Sequence, residues 1–83
     1  MDIAYEIKKI IASEMKVPIE RLNADTRLED LGVESIDIIE IVFEIEQKFD
    51  IEIPLNANEN MAEEFKTVGA VAKAVESAVQ AKN

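Results

Sequence analysis

Eighty-three residues, 48% of them hydrophobic and 33% charged, amount to one small globular domain spanning 1–83, too short for a multidomain enzyme. The absence of histidine and cysteine removes disulfides, imidazole and thiolate metal ligands, cysteine nucleophiles and the commonest general base, so the usual catalytic constellations are excluded and no metal centre is expected. A net charge of −9 repels phosphate backbones and anionic lipid surfaces, which argues against nucleic acid and membrane insertion and in favour of basic protein surfaces as partners.

The N-terminal stretch MDIAYEIKKI holds no apolar run of signal-peptide length, and nothing approaches the roughly 20 apolar residues of a membrane span. A soluble, cytoplasmic monomer is the expectation. Ile3, Ile7, Ile10 and Ile11 recur at helical spacing, with Met15 near the end. A first helix is therefore predicted over about residues 2–15, capped by Asp2 and stopped ahead of Pro18, which pushes Val17 toward an extended backbone. No period persists from Lys16 to Glu34. Leu22, Leu28 and Leu31 are the apolar anchors of that long connection, and Gly32 permits a backbone turn in it.

The strongest helical signal is SIDIIEIVFEIEQKF, which predicts a second helix over about residues 35–49 with Ile38, Ile41, Val42, Ile45 and Phe49 on its core face. Asp37, Glu40 and Glu44 lie opposite. Ile36 and Phe43 also fall away from the core stripe, either as isolated surface hydrophobes or as contacts for a partner. Beyond Pro54, Asn56 and Glu59 have capping-box spacing, which predicts a short helix over about 57–64. Thr67 then precedes Val68, Val71, Ala72, Val75 and Val79 on one face, giving a last helix over about 67–81 with Thr67 as its cap. The predicted fold is all-α: a small bundle of three main helices plus one short helix, with a long loop between the first two.

Charge is concentrated in one place. Residues 28–52 carry nine acids and a single base, Lys48, and so hold −8 of the total −9. Like charges at i, i+4, such as Glu40 and Glu44, destabilise a helix by a few tenths of a kcal/mol, about 0.2–0.5. Such a face is either a solvated helix surface or one shaped for a partner. Calcium loops of the EF-hand type are not matched, because DTRLEDLGVESI lacks their alternating oxygen ligands and their Glu at the twelfth position.

From Asp30 to Asp37 the chain reads DLGVESID, immediately ahead of the acidic helix. This resembles the acyl carrier proteins of fatty acid and polyketide synthesis, whose signature is Asp-Leu-Gly-x-Asp-Ser-Leu-Asp. The segment DIIEIVFEIEQKFDIEIP is similar to the family's second helix and the Glu-Ile-Pro that follows it, and the likeness covers essentially the whole chain. It implies that Ser35 carries a covalent 4′-phosphopantetheine, placed there by a separate Mg²⁺-dependent phosphopantetheinyl transferase that directs the Ser35 hydroxyl onto the pyrophosphate of coenzyme A. It implies a non-enzymatic carrier whose arm holds acyl groups as thioesters for acyl ligases or ketosynthase-type enzymes with basic docking surfaces. Glu34, Ile36, Asp37, Glu40, Phe43 and Glu44 would then bind those partners, and Ile38, Val42 and Ile45 would line an acyl cavity between the second helix and the two after it.

Read from its position alone, a serine at a helix start is an N-cap. A phosphodiester there would gain from the helix N-terminus, whereas Glu34 and Asp37 oppose it electrostatically and fit better as contacts for a basic enzyme. Several positions depart from the family pattern: Glu34 and Ile36 replace Asp and Leu, Arg27 stands where an aromatic is common, which implies a looser first connection, and Ile38 replaces a small polar residue. LNANENMAEEF is about four residues longer than the housekeeping bacterial form. Together these suggest a specialised member of the family. A peptidyl, aryl or D-alanyl carrier, and an unmodified acidic protein-interaction adaptor, are the alternatives.

Overall fold

The apolar period of the first segment becomes helix α1, Ile3–Met15, in a computed structural model that describes residues 2–53 and 65–82. Asp2 caps it as expected, its Oδ1 accepting from the Tyr5 N–H at 3.2 Å. Lys16 ends it in the left-handed conformation at φ 56° and returns its N–H to the Ala12 carbonyl, and Pro18 bars any continuation.

The connection to the next helix is more ordered than its lack of period implies. It contains two 3₁₀ turns, Ile19–Arg21 and Leu28–Leu31. Between them Asn23 Oδ1 accepts from Asp25 N–H at 2.9 Å and Thr26 Oγ1 accepts from Asn23 N–H at 3.0 Å, the local side-chain bonding that favours these residues in turns. Leu22 and Leu28 are buried, and Leu31 packs against the core from its edge. Gly32, at φ 80°, closes the second turn.

The connection that holds Arg27 is tied to the segment ahead of the last helix. Arg27 pairs with Thr67 in an isolated antiparallel bridge and ion-pairs with Glu29. Three backbone bonds flank the bridge: Leu28 N–H to the Lys66 carbonyl at 3.1 Å, Val68 N–H to Thr26 at 2.9 Å, and Gly69 N–H to Ala24 at 2.9 Å.

Helix α2 runs Ser35–Phe49 and ends at Asp50, left-handed at φ 54°. Glu46 Oε2 then accepts from Ile53 N–H at 2.7 Å, folding the outgoing chain back along the helix. Helix α3 is Val68–Lys82, and Thr67 Oγ1 caps it by accepting from Ala70 N–H at 3.0 Å. The short helix expected over 57–64, with its Asn56 and Glu59 capping box, lies outside the described residues.

α1 packs against both α2 and α3. The centre of the core is Ile7 and Ile11 from α1, Ile41, Val42 and Ile45 from α2, and Val68, Val71 and Val75 from α3, each essentially without solvent contact. Burial of each such side chain is worth about 1.5–3 kcal/mol. No polar or charged side chain is buried among the described residues, so the interior is held by apolar packing and the charge remains outside.

Candidate functional site

The start of α2 is set by Gly32, whose left-handed turn leads the chain toward the extended backbone of Glu34. Glu34, at φ −107° and ψ 175°, becomes the N-cap, and its carbonyl accepts the first helical bond from Ile38 N–H at 3.0 Å. Asp37 completes a capping box by accepting from the Glu34 N–H at 2.9 Å. The N-cap role that position alone suggests for Ser35 is therefore held by its neighbour. Glu34 and Asp37, expected only as outward contacts, also build the helix start.

Ser35 is the first residue inside α2, exposed, and its hydroxyl bonds to none of the described residues. As a first-turn residue it brings backbone N–H groups that have no acceptor within the helix, and the helix dipole is positive at this end. A tethered phosphodiester fits such a hydroxyl: it is accessible and adjoins donors for an anion.

Below Ser35 the surface is divided by i, i+4 geometry. One ridge runs from Ser35 through Ile39 to Phe43, and the adjacent one from Ile36 through Glu40 to Glu44. Ile36 is 59% exposed, Ile39 49% and Phe43 60%. An apolar strip thus descends from the serine beside an acidic one. Ile39 was not among the expected contacts, although its place four residues after Ser35 and outside the core arc marks it as part of the same strip. At the foot of the strip Phe43 and Glu44 join Ile10, Gln47 and Lys48 around an open groove between α1 and α2.

Glu40 and Asp37 turn toward α1. One oxygen each from Glu14, Asp37 and Glu40 lie within 4.8 Å of one another. Glu14, near the end of α1, has its carboxyl pushed up to about 7, first by a hydrogen bond with Glu40, then by reduced solvation and by repulsion from Glu40, Glu44 and Asp37. Hard divalent cations take six or more oxygens, and these partly exposed carboxylates with Asp37 already engaged do not define a metal centre. The sequence offers no local signal for this cluster, because Glu14 and Glu40 meet only through the packing of two helices.

Of the expected cavity residues, Val42 and Ile45 are fully buried and Ile38 is half-buried against the core. They share the side of α2 away from the acidic ridge. The wall expected from residues 57–64 lies outside the described residues.

Comparison with known proteins agrees with this geometry. The family model described as the phosphopantetheine attachment site matches residues 6–75. An acyl carrier protein of Sulfurovum sp. (strain NBC37-1) is 36% identical over 78 residues, covering 93% of this chain and 99% of the relative. An acyl carrier protein of Wolinella succinogenes is likewise 36% identical over 78 residues, covering 93% of this chain and 97% of the relative.

Proposed function

We infer that this chain, which belongs to the acyl carrier protein family and carries acyl groups on covalent 4′-phosphopantetheine, bears that arm on Ser35 and performs no reaction of its own. The observation that carries the assignment is the division of labour at the start of α2, where Glu34 caps the helix and Ser35 stands exposed in the DLGVESID motif. When bound, the arm supplies a terminal thiol that holds the acyl group as a thioester. The chain contributes the Ser35 hydroxyl as nucleophile, first-turn N–H groups next to the resulting phosphodiester, and a surface that enzymes recognise.

That surface is Glu34, Ile36, Asp37, Glu40, Phe43 and Glu44, to which we add Ile39. Acidic residues attract basic enzyme faces over a distance and speed encounter, while the exposed apolar side chains set the register on contact. The occupants are the phosphopantetheinyl transferase and then acyl ligases or ketosynthase-type enzymes. Ile38, Val42 and Ile45 form the wall against which an acyl chain rests between encounters. We place the protein in the cytoplasm as a single-domain monomer and a specialised member of its family; among the described residues no helix is long and apolar enough to cross a membrane.

Intact-mass measurement after incubation with coenzyme A, Mg²⁺ and a broad-specificity transferase tests the site. Wild type should gain the mass of one arm and Ser35→Ala none. Equal gain in both would move the attachment elsewhere, and no gain in wild type with several transferases would leave an acidic adaptor.

A further inference from the structure

The last turn of α1 meets the first two turns of α2 through like charges. Glu14, Asp37 and Glu40 each bring one carboxylate oxygen within 4.8 Å of the others, a range at which full ionisation of all three is unfavourable. Asp37 is already engaged, because its Oδ2 accepts the Glu34 N–H in the capping box. Glu14 and Glu40 have no such donor. The geometry points to Glu14 and Glu40 as a proton-sharing pair, a pH-sensitive clasp that holds the end of α1 against the start of α2 beside Ser35.

With one proton between them, one carboxyl donates to the other and repulsion becomes a charge-assisted hydrogen bond. The electrostatics agree: the Glu14 carboxyl is raised from 4.5 to about 7, with its bond to Glu40 the largest cause and Glu44 and Asp37 adding repulsion from the same face of α2. The other elements packed on α1 bring Glu20 and Arg21 from the first 3₁₀ turn and Lys73, Glu76 and Lys82 from α3. Lys82 is bound to Asp50, while Lys9 and Lys48 both reach Glu6. No described base forms an ion pair with Glu14.

The sign is the reverse of an ordinary salt-bridged carboxylate. Below 4.5 the group is protonated in folded and unfolded chains alike and the clasp is closed. Between 4.5 and about 7 only the folded chain retains the proton, so the contribution to stability declines as pH rises and is lost above about 7. The clasp belongs to the bare chain and does not depend on what Ser35 carries.

Carboxyl-carbon NMR on the unloaded protein should give Glu14 a titration midpoint near 7. In urea, the wild-type midpoint should fall between pH 5.5 and pH 8. Glu14→Gln replaces the proton with a permanent amide donor, so its midpoint should exceed wild type at pH 8 and the fall should vanish. Glu40→Gln should abolish the fall as well, which keeps the test decisive if either variant folds poorly, and Glu76→Gln on α3 should retain it. A Glu14 midpoint near 4.5, or an undiminished fall in both variants, would overturn the clasp.

Discussion

The Gly69 N–H donates to the Ala24 carbonyl at 2.9 Å, and a β-carbon on Gly69 would stand 2.9 Å from that same oxygen and 3.2 Å from the Ala24 β-carbon. The close approach is what allows the first connection to be pinned to the start of α3. Because the obstructing atom is backbone oxygen within a bonded turn, it cannot move aside cheaply. Gly69→Ala should lower stability by about 1–3 kcal/mol, a loss that outweighs the gain of about 1 kcal/mol from removing a helical glycine. A urea midpoint equal to or above wild type would contradict this.

Thr67 sits beside that junction and fixes the first turn of α3 through its hydroxyl. Thr67→Ala should cost about 1 kcal/mol, whereas Thr67→Ser, which keeps the oxygen, should recover most of it. Paired thermal melts of the two variants provide the check.

Core truncation should be far more damaging than change at the proposed attachment residue, Ser35. Ile41 and Ile45 are completely buried, and Ile45→Ala should remove about 2–5 kcal/mol from a total of roughly 4–12 kcal/mol for a chain of this length. Ser35→Ala, which removes an exposed hydroxyl that bonds to none of the described residues, should stay within about 0.5 kcal/mol. Denaturant titration monitored by far-UV circular dichroism would distinguish the two.

On the proposed docking face, stability and recognition should separate. Glu40→Lys places a cation against Glu14, so the melting temperature should rise while loading of Ser35 slows. Glu44→Lys should slow loading at low ionic strength, with the deficit shrinking as salt is added, because screening removes long-range attraction. Phe43→Ala should leave the fold nearly unchanged and weaken transferase binding at every salt concentration. Stopped-flow or time-resolved mass measurements of loading report all three, and rates equal to wild type would dissociate this face from docking.

Much of the scaffold is legible in the sequence. Apolar period located α1, α2 and α3 to within about one residue at either end, and Asp2 and Thr67 cap where their side-chain chemistry suggests. The two 3₁₀ turns were not legible, since three or four residues carry no period. Nor was the backbone pairing of Arg27 with Thr67, or the meeting of Glu14 with Glu40, because such contacts depend on how helices are placed and leave no local pattern. At the site, the motif singled out Ser35, but the choice between Ser35 and Glu34 as cap turned on one residue of register. Gly32 and the reach of Asp37 decide it.

That single residue of register has a consequence for the life history of the molecule. With Glu34 and Asp37 starting α2, folding makes no demand on the Ser35 oxygen, so with the arm on Ser35, as proposed, maturation and tethering would be independent events. On that reading a newly made chain would reach its final shape first and await a transferase without its architecture having to be rebuilt.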